Sequence, residues 1–171
     1  IYGYNNVEIP TQLKSSLTVQ GEEDKHYHTQ NIVAEQLVGE GFMEILNNSL
    51  TKASYYTDFD LNKYPDERTV KVMNPLSADL GVMRQTMLFG GLESVSRNIN
   101  HKSANLKFFE VGNTYIYNKE KWDAENPIKG YNQEGHISLF ITGKRVEGNW
   151  AHADEQSSIY ELKAVVENIL R

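Results

Sequence analysis

The sequence predicts an α+β domain in which helices flank an antiparallel β-sheet. Three observations indicate this class. The predicted elements follow the order helix, strand, strand, helix, strand, strand, helix; the third and fourth strands are joined as a hairpin, which makes them antiparallel; and the last segment has the apolar spacing of an amphipathic helix. Helices that pack against such a sheet give the layered arrangement of an α+β domain.

The first element of this domain is a helix. Residues 1–20 are interpreted as a linker or the tail of a preceding domain, since Pro10 lies beside the polar run TQLKSS. The core domain is expected over 21–171, and its first helix over 22–39. Acids in the first turn suit the positive end of a helix dipole, and Gly41 follows the last turn. Its apolar stripe consists of Ile32, Val33 and Leu37.

Two strands and a second helix are predicted next. The strands are FMEILNNSLT at 42–51 and TVKVM at 69–73, which ends before Pro75, with a loop over 53–68. A helix is predicted over 86–101, because apolar residues recur there at helical spacing. The residues of that face are Leu88, Leu92, Val95 and Ile99.

The hairpin and the last helix complete the chain. Strand 107–118 (KFFEVGNTYIYN) is expected to pair with HISLFITG at 136–143, through a long polar connection that we expect to be mobile. Ser158 and Glu161 have the spacing of a capping box at the start of the last helix. The apolar stripe of that helix consists of Leu162, Val165, Val166, Ile169 and Leu170.

Composition excludes several classes of protein. The 171 residues carry a net charge of -6, which argues against a chain that coats nucleic acid through bulk charge. The absence of cysteine rules out disulfides and thiolate metal sites. No apolar run approaches the roughly 20 residues that a membrane-spanning helix needs, so we expect no membrane contact. The first residues do not have the pattern of a signal peptide, and we expect a piece of a longer, cytoplasmic protein.

Three stretches of the sequence together resemble one family. They are NPLSADLGVMRQTMLFGGLESVSRNIN (74–100), LKFFEVGNTY (106–115) and IYELKAVVENIL (159–170), and the chain opens with IYGYNN. In this order and at these separations, they are similar to the β subunit of bacterial-type phenylalanyl-tRNA synthetase over nearly the whole chain. The resemblance implies a domain shaped like the catalytic core of class II aminoacyl-tRNA synthetases, which is an antiparallel sheet flanked by helices.

The same resemblance implies that this domain has no catalytic activity of its own. In the family, the active site lies on the α subunit, and the β copy packs against the α catalytic domains in an α2β2 heterotetramer. The whole enzyme needs ATP and Mg²⁺, and the acidic magnesium ligands of family members precede the IYGY segment, upstream of Ile1. We therefore expect no catalytic residue, no cofactor and no metal site in this chain.

The central strand supports the expectation of an inactive domain. A class II site uses a guanidinium on the strand of its second motif to grip the first phosphate of ATP, because the planar fork of arginine meets two oxygens at once. The resemblance assigns 107–118 to that strand, yet no arginine occurs from 98 to 144. Lys119 and Lys121 follow the strand but cannot clamp a phosphate in a bidentate way. The last helix also lacks the G-x-G-x-x-R pattern of a third motif, which is left open for the chain beyond Arg171, whereas the arginine of the second motif cannot be supplied from outside the strand.

Glu110 is an acid in the middle of this apolar strand. Alternation places it on the face of Phe108, opposite the more apolar face of Phe109, so that Glu110 lies on the floor of the former active site. A half-buried carboxylate needs a partner. We predict a structural ion pair, with Arg84 as the first candidate and Arg97 as the second. The alternative is a leftover contact to substrate.

Two other functions compete with this interpretation. One is a freestanding adenylate-forming enzyme of the same fold. The other is a tRNA-binding module, since Arg97, His101 and Lys102 lie on or near one predicted helix, although such a group is more often a solvated helix face. His26 and His28 have a spacing that binds metal on a strand, but on the predicted helix they diverge, so no metal site is expected there.

Overall fold

A long antiparallel hairpin forms the centre of the fold in the computed structural model, which describes residues 3–7, 21–58 and 63–171. Strand β4 (Leu106–Tyr117) pairs with β5 (Tyr131–Thr142) over the full length of both. A two-residue strand, β1 (Met43–Glu44), adds to the other edge of β4 in parallel, so β5 is the outer strand on its side. The predicted hairpin is confirmed, and its connection is shorter than expected because β5 begins directly after the turn Pro127–Gly130.

Four helices accompany the sheet in the described ranges. They are α1 (Glu22–Gly39), α2 (Ser54–Thr57), α3 (Leu88–Asn100) and α4 (Ile159–Ile169). The predicted helices over 22–39 and 86–101 are confirmed within two residues at each end. Short 3-10 turns connect the elements at Tyr4–Asn6, Asp66–Arg68, Ala78–Leu80 and Lys119–Lys121. The α+β class expected from the order of elements is therefore confirmed.

Helices cover both faces of β4. On one face, Phe109 is completely buried (0% exposed) among Leu37 of α1, Phe42 and Val165 of α4. On the opposite face, Phe108 and Leu106 pack against Val95 of α3. A strand that is buried on both sides explains why the successive residues Phe108 and Phe109 are both apolar, although they lie on opposite faces.

The remaining strands are short pairs, and here two predictions are wrong. Segment 42–51 divides into β1 and β2 (Leu50–Thr51), and β2 pairs with β3 (Val82–Met83), which the sequence did not indicate. The chain turns between them because the Asn48 side chain accepts a hydrogen bond from the Leu50 N–H. Segment 69–73 forms only an isolated bridge, from Lys71 to Val82. A last pair consists of β6 (Lys144–Val146) and β7 (Glu155–Gln156).

The packed face of α3 differs from the predicted one. Val95 is buried, but Leu88, Leu92 and Ile99 are 42–49% exposed. The helix instead approaches β5 through Gly91, where an added Cβ would overlap the ring of Phe140. Because a glycine lets the aromatic ring lie against the helix backbone, the helix is rotated away from the face that its large side chains would choose.

The start of α4 also departs from expectation. Ser158 is the residue before the helix, but its side chain makes no capping hydrogen bond. Glu161 instead pairs with Lys107 of β4, whose Nζ lies 2.8 Å from its Oε1. The capping box is therefore wrong, since an ion pair with the sheet takes the carboxylate that would have completed it. Of the predicted stripe, Val165 and Ile169 join the core, while Val166 and Leu170 are exposed.

Most of the predicted linker over 1–20 lies outside the described residues, as do 59–62 within the predicted loop over 53–68. In the described part of the loop, α2 and one 3-10 turn are present. None of the helices in residues 3–7, 21–58 and 63–171 has the length and hydrophobicity needed to span a membrane.

Candidate functional site

Glu110 occupies the centre of β4, and none of its side chain is exposed (0%). Its Oε1 accepts a hydrogen bond from Arg84 Nη1 at 2.6 Å, and its Oε2 accepts one from Asn47 Nδ2 at 2.8 Å. The Asn47 backbone N–H donates to Oε1 as well, at 3.3 Å. The carboxylate was expected to be half-buried, but it is completely enclosed because α3 and the chain around Asn47 cover this face of the strand. Both of its oxygens are bonded, as a buried charge requires.

Arg84 is fixed by the backbone on three sides. Its Nε donates to the carbonyl of Asn113 at 2.9 Å, its own N–H donates to Ser49, and its carbonyl accepts from the N–H of Tyr115. Only 6% of the Arg84 side chain is exposed. The guanidinium lies over Gly112, where any Cβ would overlap Nη2. The glycine of the EVG sequence therefore makes the space that the arginine fills.

The other candidate residues lie apart from this pair. Arg97 is exposed on α3 and lines a polar cavity of about 350 Å³ beside Arg84. His26 and His28 are both exposed on α1. In the described ranges, no three His, Asp or Glu side chains come together in a way that would hold a metal ion.

Asn47 is a member of the site that sequence reasoning missed. Besides its two hydrogen bonds to Glu110, its Oδ1 accepts from Ser94 Oγ of α3 at 2.8 Å. An added Cβ at Gly90 would approach the Asn47 side chain closely, so this glycine makes room for it. The signal for this residue was the polar interruption NNS in an otherwise apolar run, which was interpreted as the end of a strand.

A second, more exposed cluster borders the polar cavity. The Tyr55 hydroxyl donates to Glu93 Oε1, and Lys52 Nζ lies 3.2 Å from the same oxygen. Phe89 stacks on the Tyr55 ring at 4.4 Å between centroids. The hydrogen bond from Tyr55 lowers the pKa of Glu93, and the hydrogen bond to Glu93 raises the pKa of Lys52. Partial burial, followed by that hydrogen bond, raises the pKa of Tyr55.

The lowered pKa of Glu93 predicts a pH-dependent contribution to stability. A carboxylate whose pKa falls on folding stabilises the protein above its unfolded pKa, and the contribution is lost as the pH falls through the folded pKa. We expect Glu93→Gln to lower the free energy of unfolding at pH 7 by less than about 1 kcal/mol, because the group is half-exposed. The difference from wild type should shrink in denaturation series taken below the ordinary pKa of 4.5. The control is Glu23→Gln, an exposed acid on α1; an equal pH dependence for both variants would contradict the assignment.

The sheet face that carries Glu110 has no free cation on β4. The side chains of this face are Phe108, Glu110, Thr114 and Ile116. Lys107 lies on the opposite face and is paired with an acid of α4. Lys119 and Lys121 lie beyond the strand, in an exposed 3-10 turn. Arg84, whose guanidinium lies over the strand, is already bonded to protein, and it and Met87 fill the space above Gly112.

Comparison of the chain with known proteins identifies its family. Residues 9–171 match the family model described as the phenylalanyl tRNA synthetase beta chain CLM domain. The phenylalanine–tRNA ligase beta subunit of Bacteroides fragilis is 59% identical over 171 residues, which are 100% of this chain and 21% of that protein. The subunit of the same name from Porphyromonas gingivalis is 48% identical and covers 99% of this chain. The chain thus spans about one fifth of the length of these relatives.

A solved structure agrees on the fold. The pyrrolysyl tRNA synthetase of Desulfitobacterium hafniense superposes with a TM-score of 0.51 over 85% of this chain and 43% of its own, at 15% sequence identity. At that identity, the likeness concerns the fold alone, which is that of a tRNA synthetase. Since the family model covers all but the first eight residues, the chain belongs to the family of phenylalanyl-tRNA synthetase beta chain CLM domains.

Proposed function

We propose that this domain is a non-catalytic, class II-like scaffold in the β subunit of phenylalanine–tRNA ligase. In this proposal it supports the catalytic α subunit within an α2β2 heterotetramer in the cytoplasm. ATP and Mg²⁺ serve the whole enzyme, and the ATP that is consumed binds at the α subunit. The observation that carries the proposal is the buried pair of Arg84 and Glu110, which fills the sheet face where a nucleotide would lie.

The ion pair with Glu110 decides whether the Arg84 guanidinium is available to bind a phosphate. A phosphate needs a guanidinium whose N–H groups face the ligand, since the fork binds two oxygens together. The Nε and Nη1 atoms of Arg84 donate hydrogen bonds to Asn113 and Glu110, and the side chain is enclosed. Freeing it would leave the Glu110 carboxylate buried without its counter-charge, which is strongly unfavourable. The arginine is therefore a structural part of this face.

Uncovered apolar side chains support the scaffold role. Large apolar residues are strongly exposed on two of the long helices, whereas a monomer normally exposes only small apolar patches. On α1 they are Tyr27, Ile32 and Val38, and on α3 they are Leu88, Leu92 and Ile99. Surfaces of this kind suit a domain that other protein surfaces cover in the assembled enzyme.

Counting nucleotide sites in the assembled enzyme tests the proposal. We expect the full-length β subunit to co-elute with α on size exclusion, and equilibrium dialysis of the complex to give one ATP for each α subunit. Isothermal titration of ATP into β without α, with the same Mg²⁺ concentration in both solutions, should give no binding heat. An additional ATP for each β subunit would favour the freestanding, adenylate-forming alternative.

A variant in the nearest exposed cations serves as the matched control. We expect Lys119→Ala combined with Lys121→Ala to leave ATP binding by the complex unchanged, because these residues lie on β rather than at the α site. A loss of ATP binding in this double variant would mean that the turn after β4 holds phosphate, and it would contradict the scaffold proposal.

A further inference from the structure

Trp150 is the most exposed aromatic residue in the described part of the chain, with 98% of its surface accessible to solvent. It lies in the loop that connects β6 to β7 and precedes α4. Exposed apolar residues that stand alone are common on protein surfaces. A tryptophan in full contact with water is different, because its side chain is the largest apolar group that a protein has and is typical of binding hot spots.

The loop that carries Trp150 is ordered by its own hydrogen bonds. Asn149 Oδ1 accepts from the N–H groups of Ala151 and His152, at 2.8 and 3.3 Å. The Asn149 N–H donates to the carbonyl of His152 at 2.9 Å, which closes the turn around the tryptophan. At the base of the loop, Asp154 accepts from the N–H of Gly148 and pairs with Lys144. A fixed loop loses little conformational entropy when its tip binds.

The surface next to this loop also exposes large apolar side chains. Ile159 and Tyr160, in the first turn of α4, are 68% and 78% exposed. A groove of about 460 Å³ runs between this turn and Arg145 and Val146 of the hairpin that β6 and β7 form. Glu161 lines the groove, and its Oε2 has no hydrogen-bond partner among the described residues. The hairpin and the start of α4 thus form one surface, residues 144–161, with an aromatic tip and an apolar flank.

The charges of this surface favour a protein partner over RNA. Both cations of the hairpin are paired within it, Lys144 with Asp154 at 2.7 Å and Arg145 with Glu155 at 3.3 Å. A nucleic acid would need free positive charge for its phosphates, in addition to an aromatic ring for its bases. An apolar pocket on a protein needs only the ring and a compatible rim.

We propose that the surface 144–161 docks, through Trp150, into an apolar pocket on a part of the same β chain that lies outside these 171 residues. The chain spans 21% of the length of its Bacteroides relative, so most of such a subunit is protein surface attached to this domain. Attachment gives that surface a high effective concentration at the hairpin. The inference rests on membership of a longer β subunit, but not on the scaffold role toward α.

Photo-crosslinking in the assembled enzyme tests this docking. Trp150 is replaced by p-benzoyl-L-phenylalanine in the full-length β subunit, the complex with α is irradiated, and the cross-linked peptides are identified by mass spectrometry. The control places the same group at Leu76, which is equally exposed at 98% but lies in a different loop. We expect position 150, and not position 76, to cross-link to one β-chain peptide outside this domain. Cross-links to α or to tRNA, no cross-link, or the same peptide from both positions would each overturn the proposal.

Stability measurements provide a second test that needs no cross-linking. In the full-length β subunit, Trp150→Ala should lower the unfolding midpoint, and Trp150→Phe should lower it less. Leu76→Ala removes an equally exposed side chain and should leave the midpoint unchanged. Equal midpoints for Trp150→Ala and Leu76→Ala would contradict docking. Loss of co-elution with α is a separate readout, so that failure of the scaffold proposal is recognised independently.

Discussion

Glu110→Gln is expected to lower the free energy of unfolding of this chain by about 3–5 kcal/mol, the range for removing one partner of a buried ion pair. The substitution keeps the shape of the side chain and removes its charge. Arg84 is then left as a buried cation without a counter-charge, because its remaining bond is to the neutral carbonyl of Asn113. Denaturant unfolding followed by circular dichroism measures the change as a lower midpoint.

An exposed pair with the same geometry provides the control for this prediction. Glu22 and Lys25 are also 2.6 Å apart, but both are largely exposed, so Glu22→Gln should cost less than about 1 kcal/mol. Combining Glu110→Gln with Arg84→Met should recover part of the loss, since the double variant buries no unpaired charge. An unchanged midpoint for Glu110→Gln would show that the pair does not stabilise the fold.

Phe109→Ala is expected to cost about 3–5 kcal/mol as well, through the cavity that it leaves. Phe109 is fully buried where α1, α4 and β4 meet, in contact with the cluster of Leu37, Phe42 and Val165. These groups come from α1, the connection after α1, and α4, so they cannot all move inward to fill the space. Thermal unfolding should show a drop of several degrees, since about 1 kcal/mol corresponds to 2–4 °C at this chain length.

The control for Phe109→Ala is an aromatic residue at the loop end of the β4–β5 hairpin. Tyr131 is half-exposed, and its ring pairs with that of Tyr117 at 5.3 Å between centroids. Tyr131→Ala should therefore cost less than about 1 kcal/mol, the range of a cross-strand pair. Equal unfolding midpoints for Phe109→Ala and Tyr131→Ala would contradict the assignment of Phe109 to the core between the helices and the sheet.

The long elements were predictable because their patterns extend over many residues. Helix α1 has acids at its start and glycines at its end, and the hairpin combines two apolar runs with a polar connection. The pairing of Glu110 with Arg84 was a prediction from charge alone: an acid in a buried strand requires a cation, and the sequence offers few arginines. The structure places these two groups together; their contribution to stability stays a prediction.

The features that sequence reasoning missed depend on contacts between distant segments. The orientation of α3 is decided by Gly91 against Phe140, residues 49 positions apart, and a periodicity that counts large side chains cannot detect it. Asn47 joins the site only because the chain turns beneath α3. The two-residue strands β2 and β3 form because they pair with each other, since neither is long enough to show the alternating apolar pattern of a strand.

The position of β5 has a practical consequence for work with this domain alone. Among the described strands, β5 pairs on one side only and is 12 residues long. A long outer strand presents unpaired N–H and C=O groups, which act as a template for further chains. Intermolecular sheet growth then rises with protein concentration, so dilute samples and a charged substitution along β5 are the conditions that keep the isolated domain from aggregating.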